Sequence, residues 1–237
     1  GWEGFVPTLS YDSAGAYIGY GTHGKDLPAA VTEPEAELLL RQTLSVMAGK
    51  LNAYLARYNV GLTQGQFDAL LSLTFNMGTS WMSNCRLATA VQAGLSGYSE
   101  AELADFFGVW CHVSGEVVPH LLNRRLHELA MLLYGDYSGQ TARQRLVTLR
   151  FDEDGGSIER DISFHLRGAP YGSLPTPTKA GYVFGGWRRA DGTLLAAAET
   201  ADADVQVTAL WTPGTAGTTP GTFGTPGTAG ALPPAEI

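Results

Sequence analysis

The stretch "WEGFVPTLSYDSAGAYIGYGTHG" runs from Trp2 to Gly24, and how it is read decides both fold and chemistry. Two carboxylates, Glu3 and Asp12, stand nine positions apart, and tyrosines and glycines follow. Cleaving a glycosidic bond needs one carboxyl group to protonate the leaving oxygen. It needs a second carboxylate to activate water or stabilise an oxocarbenium-like state. Glu3 has Trp2 and Phe5 as neighbours; an apolar wall disfavours the charged form and keeps the proton, as a general acid requires. Asp12 sits in the small, polar run "YDSAGA" (residues 11–16), where it stays ionised. Solvated surface carboxylates are nevertheless the commoner meaning of such a pair, so the spacing alone does not decide. Pro7, Gly15, Gly19 and Gly21 among aromatics argue against a helix and for a small hairpin.

Beyond the hairpin, residues 32–134 read as helices. "TEPE" (Thr32 to Glu35) is a capping box with Pro34 in the first turn. Behind it Leu40, Leu44, Met47, Leu51, Leu55 and Tyr58 recur at helical spacing, with Gly61 as the expected stop. "TQGQ" (Thr63 to Gln66) opens a second helix that should stop at Gly78. "SEAE" (Ser99 to Glu102) opens a third, carrying Leu103, Phe106, Phe107 and Trp110. A last helix is expected from near His120 to Tyr134, stopping at Gly135. The first unit, residues 1–137, is therefore α+β and mainly helical, with a small β-hairpin lobe.

After about residue 140 the pattern changes. "RLVTLRF" alternates polar and apolar, and "DISFHL", "YVFGGW" and "VQVTALW" read as further short strands separated by turn residues. Residues 144–212 form a small β-rich unit. Residues 213–237 are Pro, Gly and Thr with almost no charge, a composition that cannot bury a core and implies a disordered tail or stalk.

Net charge is -8, and residues 1–137 carry 7 Lys+Arg against 13 Asp+Glu. A nucleic-acid binder normally shows a basic patch, so nucleic acid is a poor partner and none is expected. No run of about 18 apolar residues exists, so no membrane span is expected. Nor is a signal peptide visible. Cys85 and Cys111 can be two buried free thiols or one disulfide.

Several local patterns mimic other sites. "GYGTHG" (Gly19 to Gly24) fits a dinucleotide fingerprint in letters, but "KDLPAA" follows where a helix should begin. "FDEDGG" (Phe151 to Gly156) hints at a calcium loop, but Ser163 stands where the twelfth-position Glu belongs, so a tight turn is expected. "GLSG" (Gly94 to Gly97) is followed by Tyr98, not by the glycine of a nucleophile elbow. The histidines at 23, 112, 120, 127 and 165 show no metal-ligand spacing; His23, next to the hairpin, is the one positioned to line a cleft. Arg124 and Arg125 fit a carboxylate pairing better than a ligand grip, and Phe107 and Trp110 fit a core better than a sugar platform.

The opening stretch resembles the active-site hairpin of phage-type lysozymes, glycoside hydrolase family 24. Glu3-Gly4, Asp12, Gly15 and "IGYG" (Ile18 to Gly21) carry the likeness. It continues through "VTEPEAELLL", through "LTQGQFDALLSLTFNMG" (Leu62 to Gly78), and through "WCHVSGEVVPHLLNRRLHELAMLLYGDY" (Trp110 to Tyr137). The resemblance implies a muramidase that cuts the β-1,4 bond between N-acetylmuramic acid and N-acetylglucosamine in peptidoglycan, with inversion. Glu3 would be the general acid and Asp12 the water-orienting carboxylate. Tyr17, Tyr20, Thr22 and His23 would face substrate, and no cofactor or metal is implied. One departure stands out. The family carries Thr directly before "IGYG", six positions after the Asp; here Tyr17 stands five positions after Asp12, so one residue is deleted in the turn. The alternative this raises is a degenerate lysozyme-like domain that binds cell wall or protein without cutting. The family also places a helix ahead of its Glu, and this sequence is expected to lack it.

Residues 144–212 resemble one internalin B-repeat, the Listeria–Bacteroides repeat, through "FDEDGG", "YGSLPTPTKAGYVFGGW" and "VTALW". That implies a small β-grasp-like module with Phe184, Trp187 and Trp211 in its core, of unknown ligand. Together the two resemblances imply an extracellular or cell-surface protein.

Overall fold

The computed structural model describes residues 4–12 and 15–214. Glu3, Ser13, Ala14 and all but the first two residues of the expected tail lie outside the described residues.

Three short strands come first: β1 (Val6–Asp12), β2 (Gly15–Gly19) and β3 (Thr22–His23), joined antiparallel in that order. The outer edge of β1 is closed by residues 29–31, where Leu9 N–H donates to Ala29 O and Val31 N–H to Pro7 O. The hairpin lies on the first turns of α1 (Glu33–Arg57), with Ile18, Val31 and Ala36 as its own small core. Gly19 is required at the contact. Its φ is +67°, and a Cβ there would stand 2.9 Å from the Ala36 Cβ.

The long helix α1 joins this lobe to a larger one. The Glu35 carboxylate accepts from the Thr32 N–H and Oγ1 and starts the helix, as the capping box predicts. At 25 residues α1 spans about 37 Å. Its apolar stripe is buried only at the ends, at Ala36 under the hairpin and at Leu51 and Leu55 in the main core. Leu40, Leu44 and Met47, between the lobes, are half-buried. The helix does not run to Gly61. Tyr58 is its C-cap and Asn59 takes a left-handed φ of 54°, so the turn comes before the glycine.

The main core gathers α2 (Gln64–Met77), α3 (Arg86–Gln92), α4 (Glu100–Gly108) and α5 (Pro119–Tyr134). The second and third capping boxes form, and Gly78 and Gly135 cap α2 and α5 as expected. A 3-10 turn at Ser80–Met82, α3, and the two-residue strands β4 (His112–Val113) and β5 (Glu116–Val117) escaped the sequence reading. All of them are shorter than the window in which periodicity can be read. Cys85 and Cys111 are free thiols, not a bridge. Cys85 caps α3, its Sγ accepting from Ala88 N–H, and burial pushes the Cys111 thiol up to about 11.

After α6 (Gln140–Arg145) come β6 (Leu146–Asp152), β7 (Ile162–Leu166), β8 (Tyr182–Arg188) and β9 (Val205–Pro213). They form one sheet in the order β7-β6-β9-β8, with β6 and β9 parallel and the outer pairs antiparallel. The turn after Asp152 is tight: its carboxylate accepts from Asp154 N–H, and Asp154 and Gly155 are left-handed.

Leu146 to Leu149 are all buried, so β6 does not keep one wet face. Side chains alternate across a strand. Val147, Leu149 and Phe151 face a core that includes Trp187 and Val207. Leu146 belongs instead to the helical core, together with Ile162 and Phe164 of β7. Phe164 lies over Gly108 at the end of α4, where a Cβ would come within 2.3 Å of the ring. The joint is also polar. Asp105 pairs with Arg160 and lies 3.6 Å from Arg86, and His112 Nε2 stands 2.6 Å from Asp161.

Because the ring fills a shared core, Phe164→Ala is expected to cost about 3–5 kcal/mol in denaturant unfolding. Helical and β-sheet signals should shift together. A loss confined to the sheet, with the helical midpoint unchanged, would contradict the shared core.

Candidate active site

Asp12 ends β1 and faces Gly15 across the turn. Its Oδ1 accepts from Gly15 N–H at 3.1 Å, which fixes the carboxylate to the turn backbone. From β3, His23 Nε2 lies 3.1 Å from Oδ2 and 3.3 Å from Oδ1. The other ring nitrogen, Nδ1, lies 3.2 Å from Gly21 O. Tyr17 and His23 are direct partners in the β2–β3 ladder, and their rings stand 5.5 Å apart at 33°. Asp12, Tyr17 and His23 thus form one cluster at the end of the hairpin, with the Asp12 and His23 side chains a little over two-fifths exposed.

The other expected site residues go elsewhere. Glu3 lies outside the described residues. Ile18 and Thr22 form the next ladder pair, on the opposite face of the strands, and both are buried. The Thr22 Oγ1 meets no hydrogen-bond partner among the described residues. Tyr20 turns to α1, donating its hydroxyl to Glu33 Oε1 at 2.7 Å, while its ring stands 5.8 Å from Phe5. That carboxylate holds the Tyr20 phenol above its ordinary range.

A second polar cluster lies in the helical core and was only half legible. Arg124 and Arg125, near the start of α5, both turn onto Glu128, one turn on. Arg124 Nε donates to Glu128 Oε1 at 3.1 Å, and Arg125 Nε lies 2.8 Å from Glu128 Oε2. From α2, Ser72 donates its hydroxyl to the same carboxylate, and Asn76 accepts from Arg125. Arg125 and Glu128 are fully buried. Burial pushes the Glu128 carboxyl up and draws Arg125 down to about 10, each against the pull of the other's charge. The spacing in "NRRLHE" carried the signal, since residues three and four apart share a helix face. Nothing in the sequence tied Ser72 or Asn76 to it.

A cavity of about 690 Å³ opens between the helical unit and the sheet, beside Arg86, His112, Arg160 and Asp161. These groups are engaged in the joint itself, through Asp105 and the His112–Asp161 contact.

Residues 1–128 match the family described as phage lysozyme. The chain belongs to this family. The matched segment takes in the hairpin, α1 to α4 and α5 as far as Glu128. The endolysin of Bacillus phage PZA is 32% identical over 120 residues, which is 50% of this chain and 44% of the relative. The endolysin of Bacillus phage B103 is 32% identical over 133 residues, 55% of this chain and 46% of the relative. That of Acyrthosiphon pisum secondary endosymbiont phage 1 is 30% identical over 115 residues, 48% and 77%. The chain therefore spans a little under half the length of the two Bacillus phage relatives.

In this phage lysozyme fold, removing Glu128 would leave two guanidinium groups with no carboxylate between them. Glu128→Ala is expected to cost about 3–5 kcal/mol in urea unfolding. A change under about 0.5 kcal/mol would show that the cluster is not a structural anchor.

Proposed function

We propose that this protein is an endolysin-like muramidase, hydrolysing the β-1,4 bond between N-acetylmuramic acid and N-acetylglucosamine in peptidoglycan. The observation that carries the reading is the Asp12 carboxylate. It is held at the tip of the hairpin by Gly15 N–H and His23, inside the segment that matches the phage lysozyme family. Asp12 orients and activates the attacking water, and Glu3, nine positions before it, protonates the leaving oxygen. His23 meets the carboxylate with Tyr17 packed on its ring, and Tyr20 and Thr22 shape the hairpin behind it. The reaction needs no cofactor and no metal, since the two carboxyl groups and water suffice.

The β-rich unit is a B-repeat with a β-grasp-like fold, serving as a spacer or adhesion module on an extracellular or cell-surface enzyme. Its mixed four-stranded sheet and aromatic core of Phe151, Phe184, Trp187 and Trp211 support this reading. Residues 1–137 are the extent of the lysozyme unit and residues 144–212 that of the B-repeat. No helix among the described residues is long and apolar enough to cross a membrane.

Digestion of purified peptidoglycan, with products identified by mass spectrometry, tests the activity. The wild-type chain is expected to release fragments with new reducing-end muramic acid. Asp12→Asn and Glu3→Gln should each slow their release by about 10²–10⁴-fold. Absence of such fragments with wild type, or release by either variant at the wild-type rate, would overturn the assignment.

A further inference from the structure

We propose that His23 is the positioning residue for Asp12: its ring, braced by Tyr17, holds the carboxylate that orients water. This rests on the muramidase reading above and assigns His23 a role other than gripping sugar.

The donor inventory makes the argument. Each ring nitrogen of His23 faces an acceptor, Nδ1 the carbonyl of Gly21 at 3.2 Å and Nε2 the carboxylate of Asp12 at 3.1 Å. The ring is thus held between the Asp12 carboxylate at one nitrogen and the turn between β2 and β3 at the other. Its remaining freedom is tilt, and the Tyr17 ring at 5.5 Å limits that.

Asp12 then receives N–H donors from two directions, Gly15 from its own turn and His23 from across the sheet. A carboxylate gripped by one short turn can rotate about its side-chain bonds, and one gripped from both sides cannot. Misplacing a reacting group by about 1 Å can cost about 100-fold in rate, so this second grip matters to chemistry even though it touches no reacting atom.

Tyr17 enters the cluster through its ring, which packs on His23. Thr22 faces the buried side of the hairpin, away from Asp12.

The test uses the full chain and soluble glycan strands freed of crosslinks, with wild type, His23→Phe, His23→Gln, His23→Ala and a Glu3→Gln control. His23→Phe keeps a ring for Tyr17 and removes both ring nitrogens. It is expected to lower kcat by about 10- to 100-fold with KM within about 2-fold. His23→Gln, which retains an N–H donor, should fall between it and wild type, and added imidazole should restore part of the kcat of His23→Ala. Melting midpoints and circular dichroism establish that each variant is folded. If a folded His23→Phe turns over at the wild-type rate, or loses only KM, the proposal is overturned; in the second case His23 is a substrate contact. If wild type is no more active than Glu3→Gln, the muramidase reading itself has failed and takes this role with it. That result is distinct from an active enzyme indifferent to His23.

Discussion

One buried carboxylate organises the helical half of the molecule. Glu128 is fully buried and is met by two guanidinium groups from its own helix and a hydroxyl from α2. Unpaired, any of these charges would be costly in an apolar interior. Paired, they fix how α5 lies against α2, and α4, α1 and the sheet are built outward from that contact. Arg125 also stands over the Phe107 ring, so the same cluster reaches α4. Burial favours the neutral forms of Glu128 and Arg125, and the charge of each opposes that effect on the other.

From this anchor α1 carries position outward. One end is held by Leu51 and Leu55 in the main core, and the other offers Ala36 to Gly19 of the hairpin. The hairpin cannot slide on the helix, because Gly19 admits the Ala36 methyl and no larger residue would. Asp12, Tyr17 and His23 take their places relative to the helical core through this contact, the Ile18–Val31–Ala36 packing and the Tyr20–Glu33 hydrogen bond. The sheet adds a second brace on the far side, with Phe164 closed over Gly108 and Arg160 paired with Asp105.

The legible parts of the sequence were those written in local chemistry. Capping boxes at Thr32, Thr63 and Ser99 and the glycines at 78 and 135 marked helix ends, because caps satisfy backbone groups within a few residues. The exception was Gly61, where Asn59 turned first. The four strands of the sheet were legible from alternation and turns, but their burial was not. Strand β6 is covered on both faces, and only the tertiary packing that takes Leu146 into the helical core reveals that. At the candidate site, sequence could place Asp12 and Tyr17 in one hairpin. It could not show that strand alternation sends Thr22 inward and His23 to Asp12, since that depends on the register of a two-residue strand.

The most direct test of the account follows the oxygen of the attacking water. Peptidoglycan is digested in water enriched in ¹⁸O, and the new reducing-end muramic acid is isolated for mass spectrometry. Attack by a water that Asp12 holds predicts one ¹⁸O at C1 of that sugar with wild type and little or no labelled product with Asp12→Asn. Cleavage that yields only unlabelled, internally closed anhydro sugar, or no new sugar end at all, would contradict it.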